Sequence, residues 1–165
     1  MRILVFFGIL GTSLCQWTGE KDMLAAVNYL RTINNVPPLV LSTYTEIHDT
    51  VYIFNLYRKL NQSAQRHNQF LAQLGRIDHN PPGQVGLLER MGFRARNAGE
   101  CLADTENFDA NFATVILAND PPHFDIMVNP KYTHFGCAAI QVGSRVFWTQ
   151  HFAIPMDAAE PGEAV

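Results

Sequence analysis

The chain has 165 residues, 47% of them apolar and only 16% charged, with 12 basic against 15 acidic side chains. That is enough apolar matter for one packed domain, and too little charge for a disordered chain. The slight acidic excess leaves no basic patch, which argues against nucleic acid as a partner.

The first residues, MRILVFFGILGTSLCQ, carry one positive charge (Arg2), an apolar run from Ile3 to Leu10, then small and polar residues. Ser13 and Cys15 precede a plausible cut before Gln16, so residues 1–15 read as a secretory signal peptide. The run is too short to span a bilayer and no second long apolar stretch follows. The expectation is a secreted, extracellular protein with no transmembrane segment. Loss of Cys15 leaves Cys101 and Cys137, which in an oxidising compartment form one disulfide or stay as two buried thiols.

Asp22 is placed to cap a first helix that carries Met23, Val27 and Leu30, and NNVPPLVL ends it. A clearer helix runs from about Leu60 to Leu74, where Leu60, Ala64, His67, Leu71 and Leu74 recur at helical steps and Gly75 supplies the stop. His67 lies on that apolar stripe and reads as a hydrogen-bonded core histidine. GQVGLLERMGF suits a short helix with Val85, Leu88 and Met91 inward, and a further helix covers about Ala110 to Ala118. Asp120, Pro121 and Pro122 then open another turn or two, with Asp120 as N-cap and His123 one turn in.

Strands come late. NAGECLA is short, and FGCAAIQV and RVFWTQHFA flank Gly143-Ser144 as a hairpin. In the second hairpin strand Val146, Trp148, Gln150 and Phe152 share one face, and Arg145, Phe147, Thr149 and His151 the other. Helices first and antiparallel strands last predict an α+β fold over residues 16–154, with residues 155–165 a disordered tail. Asn61-Gln62-Ser63 is a glycosylation sequon, but at the start of the Leu60 helix it predicts partial or no occupancy.

No nucleophile elbow, zinc-protease helix, phosphate loop or C-x-x-C pair occurs. What remains is His79 in GRIDHNPPG, Glu100 in AGECLA, and Asp120 and His123 in ANDPPHF. Their order along the chain carries a resemblance. AGECLA is similar to a G-E-N-[LI]-A motif, PPHFDIMVNPKYTHFGCA to S-P-x-H-R-x-x-[IL]-L-x-P-x-[FY]-T-x-I-G-x-[AG], and FWTQHFA to Y-W-x-Q-x-F. Over roughly residues 24–154 the sequence resembles the CAP superfamily of cysteine-rich secretory, antigen 5 and pathogenesis-related proteins, also called SCP domains.

The resemblance implies a three-layer α-β-α sandwich with a mainly antiparallel central sheet and a surface cleft lined by two histidines and two acids. Carried over by position, these are His79, His123, Glu100 and Asp120, the last preceded by Leu117 where the family has tryptophan. It also implies a divalent metal such as zinc on His79 and His123, and a lipid, sterol or extracellular protein as partner. Cys101 replaces the asparagine of G-E-N, which makes a Cys101–Cys137 bridge between neighbouring strands conceivable. Two imidazoles form an open zinc site, since structural zinc takes four protein ligands and catalytic zinc three. A non-enzymatic binder is therefore expected, and the alternative is a metal-dependent hydrolase using His79, His123 and Glu100. One segment departs from the family: TYTEIHDTVYIFNLYRK, residues 43–59, is an inserted loop with a β-like centre at Val51 to Phe54, or translated intron. Its flanks join well without it, and FNLYR is encodable as a splice acceptor, which favours the second reading. His48 and Asp49 within it are poor site candidates.

Overall fold

The computed structural model describes residues 19–40, 50–80, 86–92 and 94–156. Residues 1–15, read above as a signal peptide, residues 43–49, Val85 and residues 157–165 lie outside them. Among the described residues five helices, α1 (Glu20–Ile33), α2 (Thr50–Leu74), α3 (Leu87–Arg90), α4 (Ala110–Ala118) and α5 (Pro121–Met127), accompany strands β1 (Ala95–Thr105), β2 (His134–Val142) and β3 (Arg145–Pro155). The strands form an antiparallel sheet in the order β1-β3-β2. Among the described residues no helix is long and apolar enough to cross a membrane.

Side-chain alternation along each strand creates two cores and hence three layers. On one face Cys101, Ala103, Phe135, Ala139, Val146, Trp148 and Phe152 pack with Met23 and Val27 of α1, Ala113 and Leu117 of α4, and Met127 of α5. On the other, Leu102, Ile140 and Phe147 meet Leu71 of α2, while Ala153 meets Leu60 and Met91. This is the α-β-α sandwich, and both faces of the hairpin are buried because helices cover both. Beside it, Val40 makes a short parallel bridge to His134 at the end of β2.

Local signals explain most elements. The α2 stripe Leu60, Ala64, His67, Leu71 is buried as its spacing requires. Asp109 caps α4 by accepting from the backbone N–H groups of Asn111 and Phe112. Four expectations change. The first helix starts at Glu20 with Gly19 as N-cap, so Asp22 sits in its first turn rather than capping it. In α3 Leu88 is exposed, while Met91 just beyond is buried. Residues 50–59 are helical and continue α2 unbroken, so the helix begins ten residues before Leu60 and Val51 to Phe54 are not a strand. Extending an existing helix needs no new nucleus, which lets this β-branched run follow it. Pro155 belongs to β3, and Met156 donates from its backbone to the Arg94 carbonyl, so the fold reaches past residue 154.

The disulfide is not formed. Cys101 and Cys137 are buried free thiols, and both pair in register with the same residue, Gln150. β3 stands between their strands, which separates them by two strand spacings of about 4.8 Å. A disulfide needs Cα atoms within about 7 Å. Burial pushes both thiols well above the usual cysteine range.

α2 is pressed onto β2 at Gly136. A Cβ there would clash with Leu60 Cβ and lie 2.7 Å from the Leu60 carbonyl carbon. Beside it the Asn61 side-chain oxygen accepts from the buried Cys137 N–H at 2.9 Å, covering the outer edge of β2. Asn61 is buried in this contact, and Ser63 is buried where its hydroxyl donates to the Arg90 carbonyl, which works against a glycan at this sequon. Gly136→Ala should therefore destabilise the protein by about 3 kcal/mol through overpacking. Urea midpoints of the two proteins check this.

Candidate functional site

Glu100 lies on β1, an edge strand of the sheet, and faces the α2 layer. Its neighbour across the ladder is His151 of β3. A cross-strand pair on one face brings side chains together, and His151 Nε2 lies 2.9 Å from Glu100 Oε2. α3 supplies Arg90, whose Nη2 donates to the same oxygen at 2.9 Å and whose Nη1 donates to the His79 carbonyl at 3.1 Å. The chain leaving α2 delivers His79, with Nδ1 2.9 Å from Glu100 Oε1. From α2 itself His67 places Nε2 3.7 Å from Oε2, outside hydrogen-bond reach. The Glu100 side chain is 4% exposed.

A buried carboxylate is expensive unless donors replace water. Burial pushes the Glu100 carboxyl up, but hydrogen bonds from His151 and His79 and nearby positive charge outweigh it. The group is held well below the usual carboxylate range and is ionised at any physiological pH. His67 shows the opposite balance: burial lowers it to about 4, against an upward pull from Glu100 and downward pushes from Arg90 and His151. It is buried as expected, but among the described residues neither ring nitrogen is in good hydrogen-bond geometry, the Asp78 backbone adding only a weak upward pull.

The second half of the site comes from α5 on the opposite face. Asp120 is its N-cap by position, but its side chain makes no capping bond. The carboxylate instead reaches His123 Nδ1 at 2.6 Å, so the cap role does not withdraw it from the site. Burial lowers His123 below the ordinary histidine value, and Asp120 offsets part of that shift. α5 is held from behind by Arg31 of α1, a fully buried guanidinium. Arg31 donates to the carbonyls of Met127 at 2.8 Å, Asn129 at 3.0 Å, Tyr132 at 3.1 Å and Pro37 at 2.7 Å. A cation at the carbonyl end of a helix is favourably placed. In front, Gly99 lets α5 approach β1, since a Cβ there would sit 2.7 Å from Ile126 Cγ2.

The two halves meet around the β1 edge. The rings of His79 and His123 are 5.9 Å apart between centroids and tilted by 33°. Each has Nδ1 on a carboxylate, which assigns the proton to Nδ1 and leaves the lone pair on Nε2. Two imidazoles that share one ion hold their ring centres roughly 5–6.5 Å apart, given Zn–N bonds of about 2.0–2.1 Å. The pair fits that separation. Among the described residues no group of three or more His, Cys, Asp or Glu is placed to hold a metal ion, so two imidazoles are the most this arrangement offers.

His79, Glu100, Asp120 and His123 thus lie together, but as two carboxylate–imidazole pairs in which the acids orient the rings. Sequence reasoning did not select Arg90 or His151. Arg90 carries no local signal. His151 carried one: the hairpin alternation put it on the face of Phe147, and pairing β1 to β3 sets it opposite Glu100.

Residues 55–152, more than half of the chain, match the CAP family, the cysteine-rich secretory protein family. The chain belongs to that family. It is similar in fold to an extracellular protein containing an SCP domain from Bacillus anthracis, with TM-score 0.59 and 18% identity over 82% of this chain and 40% of that one. An outer surface protein from Borrelia burgdorferi gives TM-score 0.64 and 18% identity over 85% and 97%. A cysteine-rich secretory protein from Staphylococcus aureus gives 0.52 and 14% over 82% and 40%. The chain spans about 40% of the length of the Bacillus and Staphylococcus proteins. No curated protein matches it.

Because His67 sits near 4 when folded and near 6.5 when free, the unfolded chain binds more protons between those values. Stability must then rise with pH across that window, and one such group contributes a slope of at most about 1.4 kcal/mol per pH unit. His67→Leu should flatten the rise, leaving the smaller share from His123 and His134, whose values burial also lowers. Denaturant unfolding at pH 5 and pH 7 measures the difference.

Proposed function

We propose that this chain is a secreted CAP-domain binding protein whose His79–His123 pair takes a divalent metal ion such as zinc, and whose partner is an extracellular lipid, sterol or protein. The observation that carries the metal reading is the double carboxylate–imidazole pairing, 2.9 Å for His79–Glu100 and 2.6 Å for His123–Asp120. Such pairing fixes the tautomer and raises ligand basicity. With the metal bound, the remaining positions take water or a group of the partner, while the protein supplies two oriented nitrogens and excludes solvent from behind through buried Glu100. Secretion is supported by the N-terminal pattern of one basic residue, an apolar run and small residues. The names of the Bacillus, Borrelia and Staphylococcus proteins point the same way.

Glu100 argues for binding over hydrolysis. A general base needs a free oxygen facing the substrate and a proton affinity near the working pH. Both Glu100 oxygens accept from protein donors, and its carboxyl is held below the usual range.

Zinc titration by calorimetry at pH 7.5 should show one site per chain, weakened roughly 10-fold or more by His79→Ala or His123→Ala. Binding should fall below about pH 6.5 as the imidazoles protonate. Undiminished binding in the double variant would overturn the metal reading. Retention of a labelled sterol or fatty acid by the secreted protein tests the lipid partner, and failure with both removes it.

A further inference from the structure

His151 stands behind the His79–His123 pair, and the proposed ligand set does not use it. It is fully buried and lies opposite Glu100 in the sheet. A lone pair on Nε2 facing a carboxylate oxygen at 2.9 Å would be repelled, so Nε2 carries the proton. Nδ1 has no partner among the described residues.

Oε2 of Glu100 therefore accepts two donors, His151 Nε2 and Arg90 Nη2, while Oε1 is left to His79. Arg90 alone does not secure this arrangement. Its Nε–H is buried and without a partner among the described residues. A guanidinium prefers to hold a carboxylate with two parallel N–H groups. If nothing pinned Oε2 from the β3 side, the carboxylate could turn, give both oxygens to Arg90 and withdraw Oε1 from His79.

We propose that His151 is a positioning residue: it pins Oε2 of Glu100 so that Oε1 fixes His79 as the Nδ1–H tautomer, with the Nε2 lone pair free for a metal ion. Its effect on affinity rests on the metal reading above. The tautomer of His79 does not, because it is a property of the metal-free chain.

Long-range proton–nitrogen spectra of the 15N-labelled, metal-free protein at pH 7.5 read the tautomers directly, and zinc titration of the same samples reads affinity. In the unmodified protein His151 should be Nε2–H and His79 Nδ1–H. His151→Leu should move His79 to the other tautomer or a mixture, and weaken zinc about 10-fold. His151→Gln keeps an N–H donor and should retain both properties. Thr149→Val, which removes the buried Thr149–Asn68 hydrogen bond on the same strand face, should leave the His79 tautomer unchanged. The proposal fails if folded His151→Leu keeps His79 as Nδ1–H, or if Thr149→Val shifts it as much. It also fails, whether or not His151→Leu folds, if His151 of the unmodified protein is the Nδ1–H tautomer. A tautomer that responds to His151→Leu in a protein that binds no zinc upholds the positioning role and removes the metal reading alone.

Discussion

A single buried carboxylate organises this molecule. Placing the Glu100 charge out of water costs several kcal/mol, and that cost is offset only while all its donors are in place. Those donors come from separate parts of the chain: Arg90 from α3, His79 from the segment after α2, and His151 from β3. Each contact ties another element to the edge strand β1. Removing one partner leaves a charge buried with too few donors, typically a loss of 3–5 kcal/mol.

A second buried charge does the corresponding work on the other face. Arg31 is fully buried and bonds four backbone carbonyls. Burial lowers its guanidinium to about 10, still cationic at neutral pH. It fixes the carbonyl end of α5 and the loop beyond, and so the helix that presents His123. One buried anion therefore places His79 and one buried cation places His123, each from its own layer. Their 5.9 Å separation across the β1 edge is set by the packing of two helical layers on one sheet.

Sequence pattern revealed the parts that depend on local chemistry. The hairpin with Gly143-Ser144 at its turn, the Asp109-capped α4 and the Asp-Pro-Pro start of α5 all follow from turn and cap residues. Features that depend on long-range register were less legible. Cys101 and Cys137 looked bridgeable until β3 proved to lie between their strands. Arg31 continues the stripe of Met23 and Val27 at helical spacing, where a charge looks like an error until three of its carbonyl partners, about a hundred residues away, come into view. The order of His79, Glu100, Asp120 and His123 singled those residues out, but not which carboxylate holds which ring. That assignment depends on the chain after α2 turning back towards β1 and on Asp120 leaving its cap bond unmade.

The most direct test of this account is the charge on Glu100 itself, followed through its side-chain carboxyl carbon by NMR as pH is lowered. If Arg90 and the two imidazoles solvate the carboxylate as described, the signal stays at its ionised position well below 4.5, the ordinary value for glutamic acid, until the fold itself gives way. A midpoint at or above 4.5 in the folded protein would mean that burial outweighs the donors. The carboxylate would then not organise the site.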